Sequence, residues 1–211
     1  LGFILSLASG LMTGIVCFDL IPEALNISSI IYVLIGIAFG IVTMIACDIF
    51  VNNKFKNTRE SFKNANSMLK TGIIISIGLA LHNFPEGLAI GSGFEASLVL
   101  GYSLAVAIAL HDIPEGISMA VPMRNGGMSK LKVIFYVILS GITTGLGAFF
   151  GSLVGGISDQ IIAVCLSFAA GAMLYIVSGE LIPESNKVYK GRMNAIGYIM
   201  GFILGIFSSL I

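Results

Sequence analysis

Two short segments of the sequence repeat the same chemistry. HNFPEG at 82–87 is matched by HDIPEG at 111–116, and together they contain both histidines of the chain. Residues four apart lie on one face of a helix, so the His and the Glu of each segment point the same way. Imidazole with carboxylate suits zinc, with iron, manganese and cadmium as alternatives. The sequence therefore predicts a divalent-metal site with the ligands His82, Glu86, His111 and Glu115.

The residues that follow the two histidines extend this site. Asn83 and Asp112 project about 100° away from the histidines on their helices, so they could hold a second ion with the two glutamates as bridges. The alternative is a pair of core histidines satisfied by hydrogen bonds, but the use of both histidines in His/Glu pairs favours metal. The HExxH segment of metalloproteases is absent, and we therefore predict that the protein is not an enzyme.

The composition indicates how these segments are positioned. Hydrophobic residues make up 56% of the chain and charged residues only 10%, against roughly 25% charged residues in soluble domains. The apolar runs are continuous, which argues against a transmembrane barrel. We predict an all-α fold, a polytopic membrane helix bundle in contact with the lipid bilayer, and no nucleic-acid partner. Seven segments are long enough to span the bilayer: approximately 2–23, 30–51, 70–92, 97–122, 132–156, 160–184 and 193–211.

The basic residues indicate the orientation of these segments. All 11 Lys and Arg residues follow the second, fourth and sixth segments or lie at their edges, and cytoplasmic connections are the ones enriched in Lys and Arg. The long connection 52–69 is therefore predicted to be a loose cytoplasmic loop with a short amphipathic piece. The chain is predicted to begin in the cytoplasm and end outside it, in the plasma (inner) membrane.

The same boundaries give the depth of the two motifs. His82 lies 12 residues after Lys70, and His111 lies 11 residues before Pro122. At 1.5 Å per residue, both histidines are about 17 Å from the cytoplasmic boundary. The two motifs are therefore predicted to lie level with each other near the middle of the membrane.

An internal repeat surrounds the motifs. Residues 6–23 align without gaps onto 167–184 with ten identities, and the predicted topology gives these two segments opposite directions. Convergent composition of apolar helices is the alternative explanation. Inverted repeats are typical of transporters that bind their substrate near the midplane, at the interface between the repeats. No internal boundary divides the chain, so we predict a single transmembrane domain, 1–211.

The motifs resemble those of the ZIP (Zrt/Irt-like) metal-ion transporter family, and within it the bacterial GufA-like group. The matching segments are FDLIPEAL at 18–25, HNFPEG, HDIPEG and GELIPE at 179–184. The resemblance implies the same primary and second sites, movement of zinc into the cytoplasm by alternating access, and a homodimer. It also implies that the seven segments are the family's helices two to eight, with the first helix absent from this sequence.

Further polar residues complete the predicted pathway. The carboxylates at the outer side are Asp19 and Glu23, and those at the inner side are Asp48, Glu180 and Glu184. Ordinary interfacial carboxylates are the alternative reading of these five. Thr144 stands where this group of the family often has a glutamate ligand of the second site, and its hydroxyl is a weaker, uncharged ligand.

Other functions remain open at this point. A selective metal-ion channel would use the same ligands as a carrier. A membrane metal sensor would bind the ion without transporting it. The three cysteines, Cys17, Cys47 and Cys165, lie in separate apolar segments and are predicted to be small buried hydrophobic residues rather than ligands.

Overall fold

The computed structural model describes residues 2–61 and 67–208, and every regular element in these two ranges is helical. The predicted all-α fold is therefore confirmed for this part of the chain. The elements, in order, are α1 (Gly2–Ile15), π1 (Val16–Leu20), α2 (Ile21–Ile27), α3 (Ile30–Ser61), α4 (Ser67–Ala96), α5 (Leu98–Asn125), α6 (Lys130–Gly155), α7 (Asp159–Ile176), π2 (Val177–Leu181), α8 (Ile182–Val188) and α9 (Arg192–Ser208).

Several of these helices are long and apolar enough to cross a membrane. In the described residues five stretches qualify by length and composition: Gly2–Ile27, Ile30–Phe50, Leu98–Asn125, Lys130–Gly155 and Asp159–Val188. A shorter apolar helix covers Arg192–Phe207. The membrane helix bundle is thus supported, while the number of seven spans stays a prediction.

The connection expected at 52–69 is different in the structure. Helix α3 continues to Ser61 and α4 begins at Ser67, so both ends of this stretch are helical where the sequence predicted a loose loop with only a short amphipathic piece. Extending an existing helix costs far less than starting one, which explains how α3 continues past its apolar part. Residues 62–66, the rest of the expected loop, lie outside the described residues.

The internal repeat has the same local structure in both copies. The second copy is numbered 161 higher than the first, and this offset carries π1 onto π2 and α2 onto α8 residue for residue. In each π-helix the bond spans five residues: Ile21 N–H donates to the Val16 carbonyl, and Ile182 N–H to that of Val177. The prolines that follow, in both LIPE segments, have no N–H to donate. The repeat therefore extends to an unusual backbone geometry.

The two copies run in opposite directions. The start of α1 lies beside α8 at the end of the second copy, because a Cβ on Gly2 would be 2.9 Å from the Ser185 carbonyl oxygen. At the other end of the first copy, α2 packs against α7. These contacts agree with the inverted arrangement expected from the sequence.

Each copy also packs against a helix that follows the other copy. Helix α1 lies along α9, where Gly14 meets Gly205, and α3 lies along α7, where Gly40 meets the backbone of Phe168. Small residues let membrane helices approach this closely. The four helices α1, α3, α7 and α9 thus form one pseudo-symmetric block.

The motif helices α4 and α5 form an antiparallel hairpin joined by Ser97 alone. The Ser97 hydroxyl accepts a hydrogen bond from the Leu100 N–H and caps α5. Helix α6 packs along α4 through glycines: a Cβ on Gly147 would be 3.0 Å from the Leu88 nitrogen. The tight turn at Ser97 and the close packing of α6 on α4 therefore fix the positions of the two motif helices.

Candidate metal site

The predicted ligands lie on the two arms of the hairpin. Helix α4 carries His82, Asn83 and Glu86, and α5 carries His111, Asp112 and Glu115. All of these residues except the partly exposed Asp112 are buried. Burying this many polar and ionisable groups is costly unless they are paired or bind a cation.

The closest grouping combines the glutamate of the first motif with two residues of the second. Glu86, His111 and Asp112 each offer a ligand atom within 4.8 Å of the others. His111 Nε2 lies 3.0 Å from Glu86 Oε1 and 3.6 Å from Asp112 Oδ1. The structure therefore brings together two of the predicted primary ligands, Glu86 of one motif and His111 of the other. Asp112, predicted for the second site, lies beside them.

His82 is oriented differently from His111. Its Nδ1 lies 3.0 Å from the Gly78 carbonyl oxygen, and a carbonyl only accepts, so this nitrogen carries the proton. The lone pair is then on Nε2, which has no hydrogen-bond partner in the described residues. Nε2 lies 3.9 Å from Glu180 Oε2. His82 thus presents a free ligand atom beside a carboxylate of the predicted inner pathway.

Several buried oxygen atoms of the motifs have no hydrogen-bond partner within the described residues. They are Asn83 Oδ1, Glu86 Oε2, Asp112 Oδ1 and both carboxylate oxygens of Glu115. Buried polar atoms in native proteins are nearly always paired. A divalent cation is one partner that satisfies imidazole, carboxylate and amide oxygen together, so the donor set fits a metal ion.

Helix α6 fixes the amide of Asn83. Its Nδ2 donates to the Ser140 carbonyl oxygen at 3.1 Å and to the Ser140 hydroxyl at 3.3 Å. The amide oxygen therefore faces away from α6. Thr144, one turn further along α6, has a buried hydroxyl with no partner in the described residues. Sequence reasoning missed Ser140, although it lies one helical turn before Thr144.

The predicted pathway carboxylates fall into two groups. Asp19 in π1 is only 7% exposed, and its Oδ2 is unpaired within the described residues. Glu180 occupies the equivalent place in π2, but its side chain is 40% exposed. Asp48, predicted for the same inner side, accepts a hydrogen bond of 2.6 Å from the Tyr175 hydroxyl. Tyr175 was not predicted, because a tyrosine in an apolar helix is ordinarily a packing residue.

The remaining pathway and cysteine predictions have mixed outcomes. Glu184 forms an exposed ion pair with Lys187 at 3.2 Å, and Glu23 is partly exposed in α2. Cys165 is buried, but Cys17 is exposed, so the prediction of burial is wrong for Cys17. Cys17 lies in π1 within an apolar segment, and apolarity alone does not show which side chains of a segment face outward.

Comparison with known proteins identifies the family of this chain. The family model described as ZIP zinc transporter matches residues 54–209, well over half of the chain. The chain belongs to the ZIP family. This assignment and the long apolar helices of the described residues identify a multi-pass membrane protein.

Individual ZIP relatives agree with this assignment. "Zinc transporter GufA" of Myxococcus xanthus is 39% identical over 137 residues, covering 64% of this chain and 54% of the relative. "Zinc transporter ZupT" of Akkermansia muciniphila is 39% identical over 145 residues, with coverages of 67% and 53%. "Zinc transporter ZIP11" of Xenopus tropicalis is 35% identical over 155 residues, with coverages of 70% and 46%. The chain spans about half the length of these relatives.

Proposed function

We propose that this ZIP protein carries divalent metal ions across the membrane into the cytoplasm, with zinc as its main substrate. The observation that carries the proposal is the set of buried, unpaired ligand atoms on α4 and α5, above all His82 Nε2, Glu86 Oε2 and the Glu115 carboxylate. The relatives are named zinc transporters, which supports zinc as the substrate.

The chemistry of the proposed site follows from its ligands. His82, Glu86, His111 and Glu115 would hold the ion, and two imidazoles with two carboxylates match the ligands that zinc prefers. Iron, manganese and cadmium would compete, because they accept the same donors. A second ion beside Asn83 and Asp112 would be held less strongly, since Thr144 and Asn83 supply only neutral oxygen atoms.

Alternating access is the proposed mechanism. Its support is that Asp19 and Glu180, at equivalent positions of antiparallel repeats, differ in exposure. A carrier with pseudo-symmetric halves is expected to expose one end of its pathway at a time. In our proposal the block of α1, α3, α7 and α9 moves against α4, α5 and α6. The ion passes from Asp19 and Glu23 through the site to Asp48, Glu180 and Glu184, which face the cytoplasm.

The cellular setting belongs to the same proposal. The protein would lie in the plasma (inner) membrane, with residue 1 on the cytoplasmic side and residue 211 outside. A homodimer is expected from the family resemblance. Labelling intact cells with a membrane-impermeant lysine reagent would test this orientation. The lysines of the basic connections should be protected from the reagent, because these connections are proposed to lie in the cytoplasm.

Zinc-65 uptake into proteoliposomes tests the function. The purified full-length protein should give saturable uptake, reduced at least tenfold by His82→Ala, with unlabelled iron, manganese and cadmium as competitors. Zinc binding without uptake would indicate a sensor, and uptake that does not saturate would indicate a channel. Unchanged uptake in His82→Ala would refute the assignment of the site.

A further inference from the structure

A tyrosine outside the two motifs contacts the proposed pathway. The Tyr175 hydroxyl on α7 donates to Asp48 Oδ2 on α3 at 2.6 Å, a length typical of a strong hydrogen bond to a charged oxygen. Asp48 lies near enough to interact electrostatically with both Glu180 and His82. Tyr175 is thus linked through Asp48 to the end of the site where His82 Nε2 faces Glu180.

The other copy of the repeat has no such hydroxyl. The position equivalent to Tyr175 is Gly14, where α1 and α9 touch: a Cβ there would be 2.7 Å from the Gly205 Cα. The carboxylate equivalent to Glu180 is Asp19, whose Oδ2 has no hydrogen-bond partner in the described residues. The hydrogen bond therefore belongs to one half of the pseudo-symmetric pathway, the half with the more exposed carboxylate.

We propose that Tyr175 is a positioning residue that holds the Asp48 carboxylate beside Glu180, so that an ion leaving His82 meets two carboxylates. This inference rests on the proposed transport function. Two neighbouring carboxylates repel each other, and a hydrogen-bond donor offsets that repulsion. The phenol does so without positive charge, whereas a lysine or arginine at this place would repel the metal ion itself.

The hydroxyl can be removed with little change to the fold. Tyr175→Phe deletes only the donor, and zinc uptake by proteoliposomes separates its effect on kcat from its effect on KM. We expect kcat to fall about tenfold, since a hydrogen bond to a charged group is lost, while KM stays within about twofold because the mid-membrane ligands are intact. Tyr198→Phe is the matched control: the Tyr198 hydroxyl donates to Thr13 Oγ1 at 3.1 Å between α9 and α1, so its partner is a hydroxyl and not a carboxylate of the proposed pathway.

A double-mutant cycle with Asp48→Asn tests whether Tyr175 acts through Asp48. If it does, adding Tyr175→Phe to Asp48→Asn changes kcat by less than about twofold. Wild-type kcat in Tyr175→Phe, an equal loss in Tyr198→Phe, or independent effects of the two changes would each overturn the proposal. Absence of uptake by the wild-type protein would instead refute the transport function, and this inference with it.

Discussion

Glu86→Gln removes one negative charge from the centre of the proposed site while keeping the size of the side chain. Glu86 is fully buried, its Oε1 lies 3.0 Å from His111 Nε2, and its Oε2 is unpaired within the described residues. Removing the charge of a metal ligand costs at least as much as losing a hydrogen bond to a charged partner, about 1.5–3 kcal/mol. At about 1.4 kcal/mol per tenfold change in affinity, we expect zinc to bind roughly 10- to 150-fold more weakly.

Calorimetric titration of the purified protein with zinc measures this loss. Glu95→Gln is the control, since Glu95 lies on the same helix, is exposed, and accepts a hydrogen bond of 2.6 Å from the Ser152 hydroxyl. The control should bind zinc within about twofold of the wild type. If Glu86→Gln also binds within twofold, Glu86 is not a ligand and the site must be placed elsewhere.

Two further changes test the contact between α4 and α6. Gly147→Val should lower the free energy of unfolding by about 3 kcal/mol or more, the upper end of the cost of overpacking, because a Cβ there would overlap the Phe84 backbone carbonyl oxygen on α4. Thermal melts measure this loss of stability, with Gly141→Ala as the control. A Cβ at residue 141 meets nothing within 4 Å, so the melting temperature of this variant should stay close to that of the wild type. Asn83→Asp puts a carboxylate against the Ser140 carbonyl in place of the amide donor, so the melting temperature should fall in chelator and recover with zinc. Equal melting temperatures of Asn83→Asp with and without zinc would argue against an ion near residue 83.

The presence of the two motifs on neighbouring helices could be predicted from residue spacing, whereas their pairing could not. A count along the chain gives depth, but the rotation of α4 and α5 about their axes decides which side chains meet. His111 therefore faces Glu86 of the other motif, and His82 faces Glu180 of the repeat. The zinc ligand set itself, as a group of four, stays a prediction.

The repeat was visible in the sequence, but its π-helices were not. Both LIPE segments contain a proline. A proline shows that a backbone donor is missing, but it does not predict the local helix geometry. In the structure an i to i+5 bond lies immediately before the proline in each copy. Burial was predicted wrongly for Cys17 because the apolar character of a segment does not show which of its side chains face outward.

The single-residue turn at Ser97 limits how this sequence can change in length. His82 lies 15 residues before Ser97 and His111 lies 14 residues after it, with unbroken helix on both sides. One residue inserted into either arm would move one histidine by about 1.5 Å and turn it by about 100° relative to the other. An insertion or deletion between the two histidines would therefore change the register of the two motifs even if every ligand residue were kept.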